Sequence, residues 1–514
     1  MISANFRFGP KGVLVGSNSY NILIAVISVF LGISVPATLI AEEPPAASAA
    51  FTSQDKVVLE ARNLARTGDF LSAERTLSQK DLESDAQARQ ARLELIDILR
   101  RIRFEYSLDS AGLLAKVKKT IPDASGDEVE RWASESRVRF RTIDGKKYFF
   151  RREPQNIFLF SQEAIDRRAR AGNAPPATTW RLTDHLAAVV AEADRSATPE
   201  VLPVKHRFSH TITIRGNHPK IKKGSTIRVW MPLAQEYRQQ RDVKLLSASP
   251  KPKMVAPNGI DGNPVSGAAQ RTVYFEQVVE DPAKTLVFQE VFEYQSFAYY
   301  PKLDVARVEA LPKDWGNSCL TERPPHIVFA PEIRQEVAAI VGNQTNPLVK
   351  AQRIFRWVSA NIPWNAEDEY CIIPSFAIRA YSARRGDCGV QNTLFITMCR
   401  IAGIPARWQS GFETKPGEAW GMHDWAEIYI APWGWLPADA SYGIQPSSDP
   451  RVADFYCGHQ DSYRLIVNLD WGRELFPPKN SLRSEPADFQ RGEVEVDGQN
   501  LYFDEWESKS EVVR

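Results

Sequence analysis

Arg385-Gly386-Asp387-Cys388-Gly389 is followed along the chain by Gly421-Met422-His423-Asp424-Trp425-Ala426-Glu427, and then by Trp435-Leu436-Pro437-Ala438-Asp439-Ala440. A thiol, an imidazole and a carboxylate thus occur in that order between residues 388 and 439. Thiol attack on an amide or ester carbonyl needs this set: a nucleophile, a base, and a carboxylate that orients the base. No other stretch of the chain has comparable chemical content.

The thiol attacks as thiolate, and a free cysteine has a pKa near ~8.5. Val390, Leu394, Phe395, Met398 and Ile401 are spaced as one apolar helix face, and Gly403 ends the pattern. Cys388 therefore opens a helix, where free N–H groups and the dipole favour an anion. An imidazolium at His423 is a second source of stabilisation, so the sequence predicts a lowered thiol pKa. Gly386 and Gly389 permit close approach, and N–H groups at the helix start are candidates for an oxyanion site. Cys399 lies on the same helix face as Cys388 and reads as core.

His423 to Ile430 has strand composition and alternation. His423 shares a face with Trp425 and Glu427, opposite Asp424, so adjacent Asp424 is poorly placed to orient it. Pro432-Trp433-Gly434-Trp435 reads as a hairpin turn that returns the chain to Asp439. An antiparallel neighbour would bring Asp439 to the far ring nitrogen of His423.

The stretch from 384 to 442 resembles the core of the transglutaminase-like superfamily of papain-like thiol enzymes. The resemblance rests on Gly386-Asp387-Cys388-Gly389, the helix after it, Gly403-Ile404-Pro405-Ala406-Arg407, His423-Asp424-Trp425-Ala426-Glu427 and Trp435-Leu436-Pro437-Ala438-Asp439. It implies Cys388 as nucleophile, His423 as general base and acid, and Asp439 as the orienting group. It extends over residues 318 to 445. Family members often place an aromatic beside the oxyanion site, which makes Trp364 and Tyr381 candidates. Trp420 and Trp425 are candidates to shield the thiol and imidazole or to wall a cleft.

The chain of 514 residues is long enough for three or four domains, and its net charge of +1 implies no bulk pull toward nucleic acid. An uncharged run from 22 to 41 follows Arg7 and Lys11 and precedes Glu42 and Glu43. This is the layout of an export signal, and the run is also long enough for an uncleaved membrane anchor. Either reading puts the globular part outside the cytoplasm: secreted, periplasmic or membrane-tethered. Of five cysteines, Cys319, Cys371 and Cys457 could supply one disulfide. His206 and His210 fall in a strand-like segment, where the spacing separates the rings, so no metal or other cofactor is expected.

The fold class expected is α+β: a papain-like, transglutaminase-like core, a preceding β-sandwich and an N-terminal helical region. Residues 42–53 read as a spacer. Residues 54–120 read as helical, with one tetratricopeptide-like pair turning at Gly68-Asp69. Residues 121–172 form a small α/β segment whose basic hairpin turns at Asp144-Gly145 and presents a solvated face. Residues 173–204 read as a linker around one short helix, 205–300 as the sandwich, 318–445 as the core, and 446–514 as a β extension with a frayed end.

Two functions follow. One is an exported thiol enzyme that cleaves or transfers amide bonds of a peptide, protein or cell-wall peptide, with hydrolysis favoured over transamidation. The other is a protein-binding scaffold of the same fold.

Overall fold

The computed structural model describes residues 49–512 except 80–84, 136, 174–179, 260–267, 318, 417–418 and 480. The run 22–41 lies outside the described residues. Among the described residues, no helix is long and apolar enough to cross a membrane.

Helices α1 (Ala49–Thr52), α2 (Lys56–Thr67), α3 (Phe70–Leu77) and α4 (Ala86–Glu105) share a core of Val58, Ala61, Phe70, Ala73, Leu95 and Leu99. The α2–α3 turn uses Gly68 at φ 93°, and Asp69 caps α3 through Ser72 N. Ala50 is buried in this core, so the expected spacer already belongs to the fold by residue 49. Helices α5 (Ser110–Lys118) and α6 (Gly126–Ser134), strands β1 (Phe140–Ile143) and β2 (Lys146–Phe149), and helices α7 (Glu153–Phe160) and α8 (Gln162–Arg170) surround Trp132 and Phe149. The hairpin turns at Asp144 and Gly145, both at positive φ.

Helix α9 (Leu182–Arg195) buries Leu186, Val189, Val190 and Ala193 in the core that also holds Leu394 and Cys399. Residues 182–195 of the segment read as a linker are therefore packed structure. This amphipathic helix needed a surface to cover, and the core provides one.

Strands β3 (Glu200–Ile214), β4 (Thr226–Pro232), β5 (Gln240–Ser249), β6 (Met254–Val255), β7 (Thr272–Val278) and β8 (Leu286–Tyr299) supply most of two antiparallel sheets. Their inner faces meet at Phe208, Ile212, Val229, Phe275, Phe288 and Phe292. In the core, helices α10 (Pro331–Val341), α11 (Pro347–Asn361), α12 (Phe376–Ala383) and α13 (Cys388–Ile401) precede strands β9 (Ala406–Glu413), β10 (Gly421–Ile430) and β11 (Gly434–Ala438). After α14 (Pro450–Ala453), strand β12 (Arg464–Asn468) completes an antiparallel sheet in the order β11-β10-β9-β12. Gly411 on β9 is required there, because a Cβ would sit 1.9 Å from the Leu465 carbonyl oxygen. Helix α13 packs on β9 and β10.

The C-terminal strands return to the sandwich. Strands β13 (Glu493–Val496) and β14 (Gln499–Leu501) extend the sheet to β14-β13-β4-β7-β6. Strand β15 (Glu507–Val512) pairs with β3 and gives β15-β3-β8-β5, so the segment expected to fray is an edge strand. Among the described residues no disulfide joins any two of the five cysteines, so the expected bridge is not formed. Cys371 instead lies beside the Tyr502 hydroxyl, and Cys457 is buried in the core that also holds Leu394 and Cys399.

Candidate active site

Helix α13 starts at Cys388 because Asp387 caps it, its carboxylate accepting the Val390 N–H at 3.1 Å. The Gly389 N–H donates to the Tyr370 hydroxyl at 3.1 Å. Two donors expected to face an oxyanion are therefore already engaged. The Cys388 N–H is the donor of this first turn that carries no partner among the described residues. Gly389 is obligatory: a Cβ there would lie 2.1 Å from the Tyr370 oxygen and 2.8 Å from Asp424 Oδ2.

Strand alternation places His423 and Asp424 on opposite faces of β10, as their sequence positions predict. Buried His423 holds Asp439 Oδ2 through Nε2 at 2.7 Å, and Asp439 lies just past the end of β11. Asp439 Oδ2 also accepts from Arg464 Nη1 at 2.9 Å, and Asp439 Oδ1 accepts from the Ser441 and Tyr442 N–H groups. Burial would raise the Asp439 pKa, but the His423 and Arg464 charges hold it well below the usual carboxylate range. Trp425 stacks along the His423 ring at 5.8 Å, and Tyr442 meets it edge-on at 5.2 Å. His423 Nδ1 has no hydrogen-bond partner among the described residues.

The thiol is placed differently from expectation. Cys388 Sγ donates to Asp424 Oδ2 at 3.3 Å, and no hydrogen bond joins it to His423. Asp424 Oδ2 also accepts from the Tyr370 hydroxyl at 2.7 Å, and Gln490 Nε2 donates to Asp424 Oδ1 at 2.9 Å. Burial, followed by the Asp424 and Asp387 carboxyls, pushes the thiol well above its ordinary pKa. This arrangement does not supply the lowered value expected from the helix start, because the sulfur of half-buried Cys388 faces the Asp424 carboxyl where an imidazolium was expected. Those carboxyls are themselves shifted. Burial and then Glu367 raise Asp387 to about 7, and burial with Asp488 raises Asp424 well above its ordinary range.

Asn392, one helical turn after Cys388, joins the pieces. Its Nδ2 donates to the Cys388 carbonyl at 3.0 Å and the Asp424 carbonyl at 2.9 Å, and its Oδ1 accepts from the Ala440 N–H at 3.0 Å. The i, i+4 spacing from Cys388 made Asn392 findable in the sequence. Arg464, Tyr370 and Gln490 carried no such signal, since each arrives from a distant segment. Of the aromatic candidates, Trp364 is exposed and its backbone bridges Gly386. Tyr381 packs on Trp357 and Arg384 and donates to Glu336, and Trp420 is buried in the sandwich core beside His206.

Residues 334–440 match the family model of the transglutaminase-like superfamily. This chain carries a transglutaminase-like domain. That domain sits in a mixed helix-and-sheet architecture with the papain-like arrangement of an N-terminal cysteine helix against an antiparallel sheet. An uncharacterized protein of Haemophilus influenzae is 28% identical over 185 residues, which cover 30% of this chain and 50% of that protein. The chain thus spans half the length of this curated relative. Among solved structures, a candidate cysteine protease from Cytophaga hutchinsonii aligns with 14% identity over 61% of this chain and 92% of its own, at a TM-score of 0.38. The periplasmic domain of TgpA from Pseudomonas aeruginosa aligns with 16% identity over 51% of this chain and 93% of its own, at a TM-score of 0.24.

Proposed function

We propose that the transglutaminase-like domain is a thiol enzyme that cleaves, and secondarily transfers, amide bonds of peptides or proteins outside the cytoplasm. The observation that carries this reading is the His423–Asp439–Arg464 chain. A buried imidazole is fixed through Nε2 by a carboxylate that an arginine keeps ionised, while Nδ1 stays unpartnered. That is the state a general base needs.

In this reading the thiol leaves Asp424 Oδ2 and gives its proton to His423 Nδ1. Sulfur bonds to the substrate carbonyl carbon, and the Cys388 N–H is the first-turn donor open to the oxyanion. The carbon–nitrogen bond breaks as His423 returns its proton to the departing amine, leaving a thioester. Water, deprotonated by His423, then releases the acid and restores the thiol. An amine in place of water would give transamidation. Cell-wall peptides are one substrate class that an exported enzyme of this kind would meet. Export itself rests on the run at 22–41.

One observation favours a second reading. A thiol donating to a carboxylate, with its pKa raised, suits a non-catalytic scaffold. The pH dependence of iodoacetamide alkylation, located by mass spectrometry, separates the two. The enzyme reading expects reactivity at Cys388 above that of buried Cys399, and its loss in His423→Ala. Equal and slow reaction of both thiols, unaffected by His423→Ala, would establish the scaffold.

A further inference from the structure

The basic hairpin β1–β2 was expected to present its charges to solvent, but several of them face inward. Arg139 is buried and donates from Nε to Glu153 at 2.8 Å, from Nη1 to Glu367, and from Nη2 to the Ala366 carbonyl at 2.8 Å. Asn156 on α7 brackets the same residue, accepting the Ala366 N–H at 2.8 Å and donating to its carbonyl at 3.0 Å. Arg152 donates to the Glu367 carbonyl. Tyr106 donates to Asp368 at 2.9 Å, with Arg141 at 3.6 Å from the same carboxylate. Glu369 meets Arg151 at 3.4 Å. Cys371 and Ile372 are then buried in the core of the N-terminal helices. Each residue from 366 to 369 is thus tied to residues 106–156, and 371–372 are tied to the helices before them.

The other side of this strap touches the thiol. Trp364 bridges Gly386 in parallel, the Asn365 N–H donates to the Gly386 carbonyl at 3.1 Å, and the Gly386 N–H donates to the Pro363 carbonyl at 3.2 Å. Tyr370, directly after the strap, binds Asp424 and accepts the Gly389 N–H. The strap therefore passes between the N-terminal region and the start of α13.

We propose that the N-terminal region, through Arg139 and Asn156, is a positioning element of the active site, which holds residues 364–370 so that Tyr370 and Gly386 fix the start of the cysteine helix. This rests on the reading of Cys388 as nucleophile. The region does not touch the reacting atoms; it acts through the strap, with the Phe160 ring 5.2 Å from the Arg385 guanidinium as a second contact before the cysteine helix. Slackening the strap has two opposite consequences. Tyr370 withdraws and solvent reaches the sulfur, which raises its reactivity toward a small alkylating agent. The Gly386–Cys388 backbone loses its register, which lowers productive acylation.

The test uses the full chain with Asn156→Asp, which keeps the side chain's size but replaces the donor to the Ala366 carbonyl by an acceptor. Asp368→Asn serves as a second variant should the first fail to fold. Alkylation of Cys388 by iodoacetamide at pH 7 should rise by about threefold. The p-nitrophenol burst from p-nitrophenyl acetate should slow by about tenfold or more per folded molecule, the folded fraction being read by circular dichroism. Parallel loss of both signals in step with the folded fraction would overturn the proposal and reduce the contact to domain packing, and so would two unchanged rates. His423→Ala keeps the premises separate. If it leaves the burst unchanged, the thiol chemistry has failed, and the alkylation arm still decides the strap.

Discussion

Replacing Asp439 by asparagine separates the charge of this carboxylate from its shape. Oδ2 accepts from both His423 Nε2 at 2.7 Å and Arg464 Nη1 at 2.9 Å. An asparagine fits the same space, but its amide can present a donor to Nε2. The imidazole would then carry its proton on Nδ1, the atom that must receive the thiol proton. A wrong tautomer of this kind costs about 10⁴ in rate in a triad. Arg464 would keep only Asp461, at 3.0 Å. Breaking a buried pair by removing one partner costs about 3–5 kcal/mol of stability. Asp439→Ala leaves the imidazole free to take either tautomer, so it should cost less activity than His423→Ala. The assays are the acylation burst with p-nitrophenyl acetate and urea denaturation of the same samples. The depressed pKa of Asp439 makes its stabilisation fully present above the unfolded carboxylate value of about 3.9, and lost as pH falls toward the folded value. Asp439→Asn should therefore flatten the acid limb of stability. A variant that acylates at the wild-type rate, or an Asp439→Ala loss exceeding that of His423→Ala, would refute the reasoning.

Cys388→Ala should abolish the burst and leave the fold intact, as read by circular dichroism and melting temperature. Gly389→Ala pushes a Cβ against Tyr370 and Asp424, so the burst should fall and stability should drop by about 1–3 kcal/mol by overpacking; unchanged values would show that Tyr370 moves freely. Glu290 lies fully buried in the sandwich with both carboxyl oxygens unpartnered, and burial raises its pKa well above the ordinary value. Its contribution is therefore favourable below an unfolded pKa of about 4.3 and is lost as pH rises toward the folded value. Glu290→Gln should remove that slope between pH 5 and 8 in thermal melts, and a slope identical to wild type would exclude Glu290 as its source.

The local order of the chain made half of this site readable. The apolar spacing after Cys388 announced helix α13, and alternation from His423 put Asp424 on the other face and Asp439 within reach. Those features depend on neighbours in sequence. The thiol's actual partner was not readable, because it depends on how α13 packs across β10. Arg464 reaches Asp439 only because β12 pairs with β9, a long-range match with a register shift. The basic hairpin was misread for the same reason: three of its counter-charges, Glu367, Asp368 and Glu369, lie more than two hundred residues away. The last strand looked like a polar tail because an edge strand with both faces wet has no apolar alternation to show.

The most direct test of the central claim is to mix the full chain with p-nitrophenyl acetate, locate any acetyl group by mass spectrometry, and compare its rate of formation in wild type and His423→Ala. The account predicts a stoichiometric acetyl thioester on Cys388 that forms about a hundredfold more slowly without the imidazole. Acetylation elsewhere, or at Cys388 with equal rates in the two proteins, would contradict it.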